Sequence, residues 1–111
     1  MNQNQLLVLY GDQPLKMGYE IMSAAKVEDL LDKSMRIAIK PNLVVAKPSH
    51  SGATTTPQLV EGVIQYLKDH GFHQITIMEG SWIGDSTQRA YKVCGYESLS
   101  SKYRIPLIDL K

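Results

Sequence analysis

Residues 37–62 read IAIKPNLVVAKPSHSGATTTPQLVEG. The apolar run at the start of this stretch, closed by a proline, predicts a strand over Arg36–Lys40. Farther along, Thr56 can cap a helix, and Pro57 fits the first helical turn because its missing N–H would have no helical partner there. The stretch therefore predicts a strand, a loop and a helix, which is the repeating unit of α/β folds.

The helix after Pro57 is amphipathic. Gly71 is suited to end it, because glycine readily adopts the left-handed conformation found just beyond many helices. The spacing of its apolar residues fits one helical face. Those residues are Leu59, Val60, Val63, Ile64 and Leu67.

Further strands and helices alternate along the chain. Three other apolar runs predict strands; these are Leu6–Tyr10, Gln74–Met78 and Pro106–Leu110. Helical patterns predict three further segments: one within Leu15–Asp32, one from Asp85–Thr87 to Gly95, and a short turn at Glu97–Lys102. We expect the first of these to begin near Tyr19, because Gly18 disfavours a helix.

This alternation predicts an α/β fold. Strands that alternate with helices form parallel sheets with right-handed crossovers. We therefore expect a Rossmann-like, three-layer α/β/α arrangement around a four-stranded, mainly parallel sheet. A length of 111 residues suits a single α/β domain over residues 1–111.

The composition of the chain limits the kinds of molecule that it is expected to bind. A net charge of +1 without a basic block argues against nucleic-acid binding. The longest N-terminal apolar run, Leu6–Tyr10, is too short for a signal peptide or a membrane span. We therefore expect a cytoplasmic protein with no nucleic-acid and no membrane partner.

The cysteine and histidine content gives no sign of a metal site. Cys94 is the single cysteine, which excludes an intrachain disulfide and an iron–sulfur cluster held by four cysteines of this chain. His50, His70 and His73 lack the spacing of a helical zinc pair. The sequence predicts no metal site and leaves the cofactor unidentified.

The last predicted strand has no helix after it. Parallel sheets usually have both faces covered. The chain is either a minimal domain or, as we favour, the N-terminal part of a longer one, and we expect it to form a homo-oligomer or to associate with a missing C-terminal half.

Polar residues follow the predicted strands. Ligands of open parallel sheets bind at the carboxyl ends of the strands, so the sequence predicts a site for a small anion, phosphate or carboxylate, at this edge. The predicted ligand-binding residues are Lys40, Asn42, Thr54, Thr55, Thr56, Glu79, Gly80 and Ser81.

Two alternatives stay open for these residues. Thr56 is needed as a cap, whereas three successive threonines at a helix start could also complete an anion pocket with Lys40. Glu79, at the end of a buried strand, needs a partner, and Lys40 is the natural one. That pair is either a structural salt bridge or an acid/base pair, which makes Lys40 and Glu79 the candidate catalytic residues.

Several of these segments together carry a family resemblance. "IKPNLV", "GATTTPQLVEGVIQYLKDHG", "ITIMEGS" and "AYKVCGYESLSSKYRIPLIDL" occur in that order between Arg36 and Leu110. The chain resembles the uncharacterised family called domain of unknown function 362. The resemblance implies no settled activity, and its family-like positions are Lys40, Pro41, Asn42, Thr55, Pro57, Glu79 and Gly80.

Two functions therefore compete at this point. The first is an anion-binding domain, part of an enzyme, that uses the edge around Lys40 and Glu79. The second is a non-catalytic scaffold or protein-interaction domain, in which the same polar residues only cap helices and hold loops.

Overall fold

Three parallel strands form the sheet of the computed structural model, which describes residues 3–111. They are β1 (Ile37–Ile39), β2 (Ile75–Glu79) and β3 (Leu107–Asp109). The order across the sheet is β1-β2-β3, and both neighbouring pairs are parallel. β2 is therefore the central strand, and its residues alternate between buried and half-buried positions.

The segment predicted as a first strand is not one. Residues 6–10 have irregular structure, with Leu6 85% and Tyr10 90% exposed. An apolar run forms a strand when its side chains are buried and its backbone is paired, and these side chains are not buried. The sheet consequently has three strands, and the prediction of four was wrong.

Four α-helices accompany the sheet in the described residues. They are α1 (Pro14–Ala24), α2 (Pro57–Asp69), α3 (Thr87–Val93) and α4 (Tyr96–Tyr103), with short 3-10 turns at Val27–Asp29 and Ser49–Ser51. The structure confirms the start of α2 at Pro57. α3 likewise follows the Ser86 cap, whose side chain accepts the Arg89 N–H. The fold is mixed α/β with a parallel sheet.

The chain divides into two compact units. One contains the residues up to Met35 together with Gln58–Gln74, and the other contains Arg36–Pro57 together with Ile75–Lys111. The prediction of a single domain over 1–111 stays a prediction.

In the first unit, α1 and α2 meet through two glycines. A Cβ placed on Gly18 would lie 2.4 Å from the Leu59 carbonyl oxygen, and one on Gly62 would lie 2.0 Å from the Leu15 carbonyl oxygen. The two backbones therefore touch where neither helix has a side chain. This contact explains why α1 begins at Pro14 and runs through Gly18, although we expected a start near Tyr19.

Aromatic packing completes this unit. Tyr66 is fully buried, contacts Tyr19 edge-on with ring centroids 5.5 Å apart, and lies 4.2 Å from the His70 ring. The His70 ring nitrogen Nδ1 is also 2.8 Å from the Tyr66 carbonyl oxygen. His70 therefore has a packing role at the end of α2.

The second unit holds the sheet with α3 and α4. Its fully buried side chains include Leu43, Ile77, Ala90 and Tyr96. Cys94 is buried as well, with its Sγ 3.1 Å from the Lys47 carbonyl oxygen. The thiol is therefore a small core group.

Candidate functional site

The carboxyl ends of β1 and β2 bring Lys40 and Glu79 together. The Lys40 ammonium lies 2.8 Å from Oε1 of Glu79. The two partners differ in surroundings, because the Glu79 side chain is 3% exposed and the Lys40 side chain is 60% exposed. The pairing expected from the sequence is present, with the carboxylate inside and the ammonium at the surface.

Backbone donors complete the surroundings of Glu79. The Leu43 N–H donates to Oε2 at 2.6 Å, and the Gly80 N–H donates to Oε1 at 3.0 Å. Burial on its own would raise the pKa of Glu79, but hydrogen bonds from Lys40, Leu43 and Gly80 together with the Lys40 charge outweigh it and hold that pKa below its ordinary value. An ionised, fully paired carboxylate suits an anchor, whereas a general acid needs a raised pKa.

The threonine run is tied to the loop after β1. The Asn42 N–H donates to Oγ1 of Thr55 at 3.0 Å, and the Thr55 N–H donates to the Asn42 carbonyl at 2.9 Å. The Thr54 hydroxyl donates to the Lys47 carbonyl at 2.8 Å. Two of the three hydroxyls predicted to meet an anion therefore hold the loop, and Thr56 directly precedes α2.

Tyr96 supports the same run from α4. Its hydroxyl donates to the Thr55 carbonyl at 2.8 Å, and burial raises its pKa. The side chain is fully buried. The structure thus fixes the threonine loop from two sides, through Asn42 and through Tyr96.

Ser81 is also engaged inside the protein. Its N–H donates to Oγ1 of Thr87 at 2.9 Å, and its hydroxyl lies 3.2 Å from the Asp85 carbonyl oxygen. The residue is 6% exposed. Ser81 therefore shapes the loop between β2 and α3 from within, next to Gly80.

Asp85 connects the two loops, a role that the sequence did not reveal. Its Oδ2 accepts the Ala46 N–H at 2.9 Å, and its Oδ1 accepts the Ser86 N–H at 2.7 Å. These two backbone hydrogen bonds, with a smaller effect of Arg89, keep the pKa of Asp85 below its ordinary value. An aspartate just before a helix resembles a cap in sequence, and nothing local marks its partner far along the chain.

Lys111 is a second residue that sequence reasoning missed. Its ammonium lies 3.2 Å from the Trp82 carbonyl oxygen and 3.4 Å from the Ser81 hydroxyl, and it also bonds the Asp85 carbonyl. The one signal was positional, because Lys111 follows β3 at the edge of the sheet that Lys40 and Glu79 share. It fastens the loop that leads out of β2.

Residues 3–111 contain neither a cluster of metal ligands nor a membrane-spanning helix. Within that range, no group of three or more histidine, cysteine, aspartate or glutamate side chains could hold a metal ion. No helix formed by those residues has the length and apolar character needed to cross a membrane.

The fold and the polar carboxyl edge of the sheet define the chain as an α/β protein, and its family follows from a comparison of sequences. The sequence model of the family described as Domain of unknown function (DUF362) matches residues 37–111. The match covers more than half of the chain, so the chain belongs to this family. All the candidate site residues lie within it. Searches of curated proteins and of solved structures found no match.

Proposed function

We propose that this domain binds a small anion, phosphate or carboxylate, at the carboxyl edge of the sheet, with Lys40 as the cationic contact. One observation carries the proposal: the Lys40 ammonium is held 2.8 Å from the buried Glu79 carboxylate while 60% of the side chain remains exposed. An ammonium has three N–H donors, and the Glu79 contact uses one of them.

Glu79 supports this role by fixing where the ammonium lies. A flexible lysine must lose side-chain entropy when it binds a ligand, and an ion pair to a buried, immobile carboxylate removes part of that cost beforehand. Asn42, exposed two residues along, also carries a side-chain amide donor. The Thr54 and Thr55 contacts hold the loop that carries Asn42.

The proposed activity is binding. That the site is part of an enzyme is a further hypothesis. Lys40 and Glu79 remain the candidate catalytic residues in that case. The Rossmann-like arrangement also remains a hypothesis, because the sheet has three strands in the order β1-β2-β3.

Thermal unfolding in the presence of phosphate tests the proposal. A ligand at a hundred times its dissociation constant stabilises the folded state by about 2.7 kcal/mol. We expect phosphate or a small carboxylate to raise the midpoint of the parent protein and of Lys92→Met, which removes an exposed lysine of α3. Lys40→Met should lose that increase. Equal increases in Lys40→Met and in the parent would refute the proposal.

A second candidate function is protein interaction through β3. This strand lies at an edge of the sheet, and Ile108 and Leu110 are 37% and 54% exposed. Exposed apolar edge strands pair readily with other chains. Association of two copies is therefore the alternative, in which the domain acts as a scaffold.

A further inference from the structure

Trp82 is exposed and yet held in place. The residue is 57% exposed. Its backbone N–H donates to the Val44 carbonyl at 2.7 Å, and its carbonyl accepts the Asp85 N–H at 2.9 Å and the Lys111 ammonium at 3.2 Å. These hydrogen bonds fix the backbone of the loop at Trp82, although the side chain is exposed.

Gly84 supports the indole ring directly. A Cβ built on Gly84 would lie 2.2 Å from Cζ3 of Trp82 and 2.5 Å from Cη2. The six-membered part of the ring therefore lies against the Gly84 backbone, and any side chain at that position would displace it. The indole thus packs against its own loop, while more than half of Trp82 stays accessible.

The loop that carries Trp82 lies beside the chain segment that follows Lys40. The Leu43 backbone N–H donates to Oε2 of Glu79 at 2.6 Å, and the Trp82 backbone N–H donates to the Val44 carbonyl at 2.7 Å, so the loops after β1 and β2 run side by side. Two residues, Gly80 and Ser81, lie between Glu79 and Trp82, so their Cα atoms are about 11 Å apart at most. Lys40 and Trp82 therefore belong to two neighbouring chain segments that are hydrogen-bonded to each other.

We propose that the anion bound at Lys40 carries a planar ring, and that this ring stacks on Trp82. The inference rests on the proposed function and names its ligand class: a small anion joined to an aromatic ring, such as a nucleoside monophosphate or an aromatic carboxylate. Stacking suits this arrangement, because an aromatic platform accepts any planar ring without a specific hydrogen-bond pattern. The Lys40 ammonium supplies the charge and Trp82 supplies the apolar contact.

Matched ligand pairs test the ring. AMP and ribose 5-phosphate differ by the adenine base, and benzoate and acetate differ by the phenyl ring; the two pairs distinguish a phosphate from a carboxylate source. Trp82 is the single tryptophan, so its emission reports on this site alone. We expect the ring-bearing member of at least one pair to bind about ten times more tightly by calorimetry and to change the emission, while its partner leaves the emission unchanged.

Variants assign the effect to the indole. Trp82→Ala should lower the affinity for the ring-bearing ligand to that of its ring-free partner, and Trp82→Phe should keep most of the preference. Val93→Ala, at another partly exposed apolar position, serves as the control and should bind like the parent. Circular dichroism of each variant checks that the fold is kept, and Trp82→Phe retains an aromatic ring in case Trp82→Ala unfolds.

The outcomes separate this inference from the proposed function. If both members of each pair bind with equal affinity and Lys40→Met abolishes that binding, the ring inference is refuted and anion binding stands. If neither ligand of either pair binds, both are refuted. If the Trp82 emission changes with protein concentration and not with ligand, a second copy covers the indole, and the ring inference is refuted.

Discussion

Lys40 and Glu79 form an ion pair between an exposed side chain and a buried one, with 2.8 Å between Nζ and Oε1. Their strands, β1 and β2, are parallel neighbours, so both residues stand at one edge of the sheet. The buried partner also accepts two backbone N–H groups. Glu79 is thus the point at which the loops after β1 and β2 are joined, and Lys40 is the part of the pair that solutes can reach.

The pair should be coupled in a double-mutant cycle of Lys40→Met and Glu79→Gln. A hydrogen bond to a charged group contributes about 1.5–3 kcal/mol, and exposure of Lys40 reduces that value. We expect a coupling free energy of about 1 kcal/mol, measured by urea unfolding at neutral pH. Additive single-mutant effects would mean that the two charges do not interact in solution.

Acid should weaken the fold through Glu79. Its folded pKa is lowered, so the unfolded state takes up a proton more readily. The stabilisation is complete above the ordinary glutamate pKa of about 4.3 and is lost as the pH falls through the lower, folded value. The free energy of unfolding of the parent should therefore fall more steeply below that pH than that of Glu79→Gln. Parallel pH profiles would contradict this expectation.

Tyr91 should resist deprotonation. Burial raises its pKa to about 12, and its hydroxyl donates to the Ile108 carbonyl at 2.6 Å. In an ultraviolet pH titration, the Tyr91→Phe variant should lose a tyrosine that ionises late, and its unfolding free energy should fall by about 1 kcal/mol. Loss of an early-titrating tyrosine would show that the hydroxyl is exposed in solution.

Alanine should be harmful at the contact between α1 and α2. In an exposed helix, glycine to alanine is favourable by about 1 kcal/mol. At Gly62, however, the new Cβ would lie 2.0 Å from the Leu15 carbonyl oxygen, so the helices would have to move apart. We expect Gly62→Ala and Gly18→Ala to lower the thermal midpoint. A higher midpoint would mean that the two backbones are not in contact.

Self-association through β3 is the expectation that tests the scaffold alternative. Ile108→Lys places a charge on the edge strand, and charged edge residues oppose pairing with another chain. Sedimentation of the parent should show a species larger than a monomer that Ile108→Lys reduces. A parent that is monomeric at high concentration would remove the support for a scaffold role.

Local patterns predicted the elements whose signals are local. The apolar face after Pro57 gave α2, and the short apolar runs gave β1, β2 and β3, because helix faces and buried strands leave periodic traces in sequence. Leu6–Tyr10 shows where prediction from local sequence patterns fails. Its composition is that of a strand, but whether a strand forms depends on a pairing partner and on burial. Five residues of sequence reveal neither.

The candidate site, too, was predictable only in part. Lys40 and Glu79 could be paired from the sequence, because both follow strands of one parallel sheet and a buried carboxylate needs a cation. The roles of Asp85 and Lys111 could not be predicted, because their partners are backbone groups in loops whose paths depend on the folded sheet. The start of α1 was misplaced for a related reason, since Gly18 weakens an isolated helix and yet permits the contact with α2.

The register of the sheet has a consequence for the order of folding. Ile37 pairs with Ile75, and Ile77 pairs with Leu107, so β1 must wait for β2, and β2 for β3, to be synthesised. Pairings between distant parts of a chain form slowly, because the entropy of closing the intervening loop is lost before any contact is gained. On the ribosome, β1 would therefore emerge with Ile37 and Ile39 uncovered, and the sheet could form only after β2 had left the exit tunnel.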